Sequence, residues 1–536
     1  MNVLKKKFFL SILIPVLVIF SCKKTSNQPN WDVAILAPLL NSSLNINNLI
    51  TDTLLKSNPD SSINLVYSSD LISYSADTLA KVPDTTVTLS FPSFGTFSGG
   101  DTILPTTTNE IDFKLGSIKL KKAILASAFI QIEFVNAFDS TILFQYKIAS
   151  ASGNGKIVNI IDSVPGDSTY NKTFSLANYT LSLTGLKGIG SNALITSISF
   201  FVSKKVISTS GKRPVLVLNQ KIFDAHPAFV GGYLGQTTIN IGPDETSFGL
   251  FKQIKSGILN FPSVSVNVDI MNSIGVDATM NIGSISSINS RTGITIPLKN
   301  LSGSGIIGNP INITRAALSN LPSPPVVPTS EIVTLNNKNS NISQFLSNLP
   351  DQLSYSLQVM INPLGNVSGD HDFVCSGYGL NANMNVTIPL SLIATNLVLS
   401  DTLLLNLSSF AEEQNINGGY LYLYVTNGLP FSASLQVYLL NKKRQITDSL
   451  LVPPNNNTIL SALIGTNGKV SQAVSSKLTI PVTKTRLNNL NNAIKALVIA
   501  RFNTGSGSSP VNIYTNNSLT LKLVADFNYN LSPTIN

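Results

Sequence analysis

Cysteine, histidine, tryptophan and charge are all scarce in this chain. Two Cys and two His leave little for a thiol or metal enzyme to use. Charged residues make up 12% of the sequence, about half the ~25% usual in soluble domains. That excludes a charge-rich disordered chain and a coiled coil. Past the N-terminus the apolar residues fall in short alternating runs, which excludes a protein of many membrane-crossing helices. There is no Lys/Arg block beyond the N-terminal one and no nucleic-acid motif, so no nucleic-acid partner is expected. Walker A, HExxH, GxSxG and CxxC are missing too. The sequence therefore reads as a non-enzyme with no catalytic residue to assign, no cofactor and no bound metal.

What is present begins with an address. Lys5, Lys6 and Lys7 precede an apolar stretch, Phe8 to Phe20, of signal-peptide length. It ends in Ile19-Phe20-Ser21-Cys22, which resembles a bacterial lipobox. That resemblance implies cleavage before Cys22 and acylation of Cys22 by more than one chain, as stable anchoring requires. Lys23 stands where an Asp would retain an enteric lipoprotein in the inner membrane. An outer-membrane location is therefore expected, periplasmic or surface-exposed, with the membrane as partner through the N-terminal lipid. Lys23 to Pro29 reads as a tether. Loss of residues 1–21 lowers the formal charge from +9 to +6, a weak bias over so long a chain. With Cys22 acylated, Cys375 has no disulfide partner.

The 536 residues are enough for about three to four domains. Apolar residues alternate at Ala128–Phe134, Ile142–Ile148, Val264–Ile270, Leu421–Val425 and Phe431–Leu439. A period of two predicts strands with one buried face, as in antiparallel sandwiches. Helical spacing is confined to Ile342–Leu349 and Lys484–Lys495. The expected fold class is all-β: consecutive antiparallel sandwich-like modules with a few short helices.

A short motif recurs. Phe134-Val-Asn136-Ala-Phe138, Ile270-Met-Asn272-Ser-Ile274 and Val425-Thr-Asn427-Gly-Leu429 each end one alternating strand and precede another. Asn suits such a turn because it tolerates a left-handed backbone and bonds to it. Val359-Met-Ile361-Asn362-Pro363 is a fourth copy, one residue out of phase. These strands suggest an N-terminal β region over 31–110 and modules over 111–256, 257–400 and 401–536. The 257–400 module holds the Pro-rich stretch Leu321–Pro328, expected to be an extended loop.

The segment Trp31-Asp-Val-Ala-Ile-Leu-Ala-Pro38-Leu-Leu-Asn41 with Ser43 to Leu49, the stretch Leu349-Pro350…Ile361-Asn362-Pro363, and the tail Leu519–Leu523 resemble large uncharacterised outer-membrane lipoproteins of Bacteroidota. The resemblance implies a lipoprotein and carries no activity.

Few residues suggest chemistry. Gly303-Ser-Gly305-Ile-Ile-Gly308 has the spacing of a dinucleotide loop, but the β-like Ile311–Ile313 follows it instead of a helix. Asp370, His371 and Asp372 are the densest polar cluster and a weak metal candidate; an Asp-rich turn explains them equally. Asp224 and His226 offer a His–Asp pair without an assignable Ser. Glu412 and Glu413 are adjacent, so in a strand they would face opposite ways and could not flank a sugar. Tyr420, Tyr422 and Tyr424 share one strand face, either as an aromatic ligand platform or as cross-strand packing. Asp-Ser/Thr followed by an aliphatic residue or Thr places hydroxyls at Thr53, Thr78, Thr85, Thr102, Ser140, Ser163, Ser168, Thr402 and Ser449. Composition would give on the order of two or three such triplets. The pattern resembles the O-glycosylation motif of exported Bacteroidota proteins, although Asp-led turns before strands would also enrich it.

The expected function is a non-catalytic, lipid-anchored outer-membrane or cell-surface β protein with a binding or architectural role and a protein or glycan partner. The alternative is a glycan-binding or glycan-processing accessory lipoprotein.

Overall fold

The computed structural model describes residues 31–531 apart from 49, 51, 80, 93–95, 204–206, 209–214, 302, 304, 320–324, 407–415, 452–456 and 506–508. Cys22, Glu412 and Glu413 therefore lie outside the described residues, as does much of the Pro-rich stretch. The fold is all-β and antiparallel, as the alternation predicts.

Twenty-four strands form the common frame of three sandwiches, and one short strand links two of them. In chain order they are β1 (Trp31–Asn45), β2 (Ile63–Ser75), β3 (Thr85–Pro92), β4 (Thr102–Asp112), β5 (Lys119–Asn136), β6 (Ile142–Gly153), β7 (Lys156–Val164), β8 (Ser168–Ser175), β9 (Ala193–Val202) and β10 (Val215–Tyr233). Next come β11 (Thr237–Ser247), β12 (Ser265–Asn272), β13 (Ala278–Asn289), β14 (Ile294–Pro297), β15 (Thr329–Asn336), β16 (Gln352–Ile361), β17 (Asp372–Cys375) and β18 (Gly379–Pro389). The last are β19 (Leu397–Leu404), β20 (Ile416–Asn427), β21 (Ser432–Leu440), β22 (Ile446–Ser449), β23 (Val474–Val482), β24 (Lys495–Asn503) and β25 (Ser518–Leu531). Two short helices, α1 (Ile342–Ser347) and α2 (Lys484–Asn492), fall where the helical spacing placed them.

The pairing repeats three times. In the first sandwich one layer runs β3–β10–β5–β8 and the other β4–β9–β6–β7, and the three residues Thr180–Ser182 bridge β5 to β6 at one end. In the second the sheets run β2–β18–β12–β15 and β11–β16–β13–β14. In the third they run β1–β25–β20–β23 and β19–β24–β21–β22. With the eight strands of any sandwich lettered a to h in chain order, the sheets are a–h–c–f and b–g–d–e. That order is a jelly roll.

The sandwiches are nested along the chain. The whole first jelly roll lies between strands a and b of the second, and both lie between strands a and b of the third. The 31–110 stretch is accordingly no sheet of its own: β1 belongs to the third sandwich, β2 to the second, β3 and β4 to the first. Two compact units result. One comprises residues 1–51, 253–257 and 393–536 and holds the third sandwich; the other comprises 52–252 and 258–392 and holds the first two.

Each core is filled by the inward residues of both sheets. In the first, Ile130, Ile132 and Phe134 of β5 meet Phe144 and Tyr146 of β6 and Phe200 of β9, all essentially buried. Phe134 stacks on Phe200 with centroids 4.6 Å apart. The Tyr146 hydroxyl donates to Gln220 Oε1 at 2.6 Å, and burial raises its pKa well above the ordinary phenol value.

The recurring Asn motif lies at the same place in all three, between strands c and d. These strands are not a hairpin, because c and d lie in opposite layers and do not pair with each other. None of the three asparagines has the left-handed backbone expected of it; the side chain supplies the bonds instead. Oδ1 accepts from the amide two residues on: Phe138 at 3.0 Å, Ile274 at 2.9 Å and Leu429 at 3.0 Å. Nδ2 donates to the carbonyl four residues on: Ser140 at 3.0 Å, Val276 at 3.0 Å and Phe431 at 2.8 Å. It also donates to the connection between strands e and f: Pro165 at 2.9 Å, Thr314 at 2.9 Å and Leu460 at 2.8 Å. Asn136, Asn272 and Asn427 are all buried. Asn362, the out-of-phase copy, does take a left-handed backbone, and its amide bonds to Gly235 O and Asp372.

Replacing Asn427 by Ala leaves a buried amide and two carbonyls without partners. The expected cost is about 2–4 kcal/mol, read by urea denaturation of the full chain. A loss under about 1 kcal/mol would show that water or a backbone shift takes over the bonds.

Candidate functional site

An open cleft lies where the first two sandwiches join, and β10 builds it. At 19 residues β10 outruns its sheet. Its first half pairs with β3, and its second half pairs with β17, which leaves the second sandwich between β16 and β18. Phe229 faces Cys375, and Gly232 faces Asp372. Gly232 has φ +146°, and a Cβ there would lie 2.2 Å from Lys119 O, so only glycine lets β10 lie this close to β5. Gly275 makes room in turn for the Phe373 ring, 2.1 Å from where its Cβ would stand. Phe373 stacks on Phe229 at 6.4 Å and packs with Ala316, Val326 and Cys375. Burial raises the Cys375 thiol pKa.

Asp372 anchors this junction. Its side chain has no exposure. It accepts from Arg315 Nη2 at 2.6 Å, Asn362 Nδ2 at 2.7 Å and Leu234 N at 3.1 Å. Arg315 also donates to Gly275 O at 3.0 Å, and its Nε faces Asp277 Oδ2 at 3.5 Å. A buried carboxylate costs heavily unless both paired and hydrogen-bonded, and here it is both. The network binds the β10–β11 turn, the loop after β16 and the residues before β15 to one charge.

Above it opens a cleft of about 520 Å³ lined by Lys122, Phe229, Leu318, Asp370, His371 and Phe373, among others. That is within the range of ligand sites. Lys121 is committed: it donates to Ile189 O and Gly190 O and pairs with Asp370 at 3.4 Å. Partial burial pushes the Asp370 carboxyl up, but hydrogen bonds from Asn366 and Lys121 and the charges of Lys121 and Lys119 outweigh it and hold the pKa below the ordinary value. Lys122 is exposed, its ammonium 5.8 Å from the Phe229 ring centroid. The cleft thus offers an aromatic and aliphatic floor beside one cation.

Asp370, His371 and Asp372 do not converge. Asp370 turns to Asn366 and Lys121, His371 Nδ1 lies 2.9 Å from Ser368 O, and Asp372 is enclosed with Arg315. Among the described residues no group of three His, Cys, Asp or Glu is placed to hold a metal. His226 has gained a Ser: Ser127 Oγ lies 3.3 Å away. Yet Ser127, Asp224 O and the Asp224 carboxylate all approach the same ring atom, Nδ1. A proton relay needs Ser and Asp on opposite ring nitrogens. Gly308 is followed by a short strand at Ile311–Ile313, not by a helix.

Tyr420, Tyr422 and Tyr424 share the outer face of β20, with centroids 6.1 and 6.3 Å apart. Lys477 of β23 covers Tyr422 at 3.7 Å from its centroid and reaches Tyr424 at 5.6 Å. The ammonium therefore takes the ring face a sugar would need at Tyr422. Of the candidate glycan acceptors, Thr53, Thr78, Thr102, Ser163 and Thr402 are exposed, while Thr85, Ser168 and Ser449 are half-buried. Ser140 is only 5% exposed, inside the first Asn-held connection.

The sequence reading passed over Arg315, Lys122 and Phe229. A usable signal existed for the first: only six of the 36 basic residues are Arg. The two most buried ion pairs among the described residues, Arg315–Asp372 and Arg486–Asp448, both use one, as the planar guanidinium fork favours.

No family model and no curated protein matches the chain. Among solved structures, a protein of Parabacteroides distasonis described as secreted is similar over 54% of this chain and 82% of its own, at 13% identity and a TM-score of 0.29. A protein of Sulfolobus Turreted Icosahedral Virus is similar over 83% and 91%, at 12% identity and a TM-score of 0.12. Broad Bean Stain Virus gives 60% and 94%, at 12% and 0.18. At such scores these likenesses carry no argument; the jelly-roll assignment rests on the strand pairing.

Replacing Asp372 by Ala takes from Arg315 its buried partner, leaving only the 3.5 Å approach to Asp277, and leaves the Asn362 amide and Leu234 N–H short of an acceptor. The expected loss is about 3–5 kcal/mol of stability in the first two sandwiches. The Arg315→Ala, Asp372→Ala double variant should lose less than the two singles added, and strict additivity in chemical denaturation would disprove the coupling.

Proposed function

We propose that this protein is a non-catalytic, lipid-anchored outer-membrane protein, periplasmic or surface-exposed, whose jelly rolls bind a protein partner. The observation that carries this reading is the cleft at the first junction. Its buried charge is committed to holding two sandwiches together, while its mouth presents Phe229, Leu318 and Lys122. Aromatic and aliphatic surface beside a cation, with the carboxylates already paired, suits a protein interface better than acid–base chemistry. The lipobox-like Ile19–Cys22 supports anchoring, and the tether from Cys22 leads directly into β1 of the third sandwich. The glycan reading has less support, because Lys477 covers the central ring of the tyrosine row.

The test uses the intact lipoprotein in its native host. Cross-linking followed by mass spectrometry should recover a partner with the wild type and lose it with Lys122→Glu plus Leu318→Asp, both surface changes. Cys22→Ala should move the protein into soluble fractions or block its maturation. Identical cross-linked partners in wild type and double variant would reject the interface. Membrane retention and normal maturation of Cys22→Ala would reject the anchor.

The nine Asp-led acceptors form part of the same proposal. Protein from the native host should run heavier than the bare acylated chain. Peptide mapping should place sugars on the exposed Thr53, Thr78, Thr102, Ser163 and Thr402 and leave the buried Ser140 bare. An intact mass equal to that of the acylated polypeptide would eliminate glycosylation.

A further inference from the structure

The second sandwich has an interior unlike that of the third. Between its sheets lies a cavity of about 70 Å³ with no polar wall, lined by residues including Leu71, Met280, Ile282, Phe345, Ala382 and Met384. One water needs about 10–15 Å³, so this space is several waters in size, yet no polar wall would hold them. Packed cores tolerate few voids larger than a water. In the third sandwich, built on the same eight-strand pairing, the cavity between Leu397, Leu429, Phe431 and Phe502 is about 10 Å³. The topology therefore does not require the larger space.

Specific features open it. Three strands of the second sandwich are interrupted by bulges beside the cavity. β2 carries the extra Leu71 opposite Ala382 and Asn383 of β18. β13 carries Gly283 opposite Leu357 and Ser356 of β16, and β11 carries Gly242 and Pro243 opposite the same stretch of β16. Bulges bend strands and increase their twist, and they cluster near functional sites. Leu71, Ala382, Leu357 and Tyr355, the residues at or facing these bulges, line the cavity. The short helix α1 adds Ile342, Phe345 and Leu346 to its wall. Two of the chain's five methionines lie here, and Met adapts its shape to a guest more readily than branched residues do.

We propose that the interior of the second jelly roll is a binding site for one small apolar molecule without hydrogen-bonding groups, of the size class of a small hydrocarbon ring. The wholly apolar wall excludes polar ligands, which would lose their hydration without replacement. Met280 and Met384 shape the site around the guest, and Ala382 leaves the space a larger side chain would fill. This inference is independent of the anchor and of the cleft.

The test is thermal unfolding of the full chain with and without dissolved benzene, in the wild type and in Ala382→Leu. At about tenfold excess over its dissociation constant, benzene should raise the wild-type Tm by about 2–4 °C. It should leave the Ala382→Leu midpoint unchanged, with that variant at least as stable as wild type in buffer. No rise in the wild type, or an equal rise in both, overturns the proposal. Should Ala382→Leu not fold, diffraction from wild-type crystals under xenon pressure decides: xenon between Met280, Ala382 and Met384 supports the site, and its absence there overturns it.

Discussion

A chain that leaves one sheet of a sandwich for the other gives up its ladder partners as it crosses. The backbone amide and carbonyls of the crossing are then buried with nothing to bond, at the full desolvation cost of each. Every other feature of the three jelly rolls depends on solving that problem, and the chain solves it three times with one side chain. The Asn carboxamide presents one acceptor and two donors, the same groups a neighbouring strand would offer. It stands in for the missing strand at the c–d crossing. Its third bond fixes the e–f connection, so one residue aligns three segments of the sandwich that are not continuous in sequence. Carboxamides also fit a chain with so little charge: an ionised group at this depth would need a counter-ion, as Asp372 does, and the crossings have none.

The nesting follows from where strand a lies. It lies at the edge of the eight-strand frame and within that frame bonds only to strand h, with the three residues Leu55–Ser57 flanking it in the second sandwich, so the other seven can be contiguous while strand a arrives from far away. Two long insertions between a and b thus disturb no interior pairing. The consequence is kinetic. β1 pairs with β25 from Trp31–Leu531 to Asn45–Ser518, so the third sandwich cannot complete its first sheet until the last strand exists. Contacts this distant slow folding and expose unpaired edges meanwhile. The first jelly roll, whose strands β3 to β10 are consecutive, carries no such delay and is the natural unit to form early.

The residues revealed the class of fold and its period because burial of one sheet face writes directly into alternation. Ile130, Ile132 and Phe134, or Leu421, Leu423 and Val425, could hardly be anything else. The Asn motif was legible because its bonds are mostly local: positions i+2 and i+4 travel with the Asn. Its backbone conformation was not, since a carboxamide can serve a turn through either its own φ or its side chain. The destination of β1 and β2 was illegible for a different reason. An edge strand's alternation records that it has a buried face, not which strand it meets. The junction was hidden likewise: Arg315 and Asp372 are 57 residues apart, and only the β10 overrun brings the elements that carry them into register. The tyrosine row on β20 was visible, but Lys477, which changes its meaning, comes from β23.

Three copies of one frame with different interiors show which parts of the frame are constrained. The Asn residues hold the ends of strands c and d, where the chain changes sheets, and there the copies agree to within a few tenths of an ångström in bond length. The middles of the strands carry no such demand. A bulge there costs one irregular ladder rung and moves a wall, while the ends stay clamped. The second sandwich has three bulges around its centre and a cavity between them. In the third, one irregularity falls mid-strand, between Pro38 and Leu40 of β1, and the others lie near the start of β20 and near the end of β21; the cavity between Leu397, Leu429, Phe431 and Phe502 is about 10 Å³. Topology and interior volume are therefore set by different residues. A chain built this way can alter what one jelly roll encloses without altering how any of the three is connected.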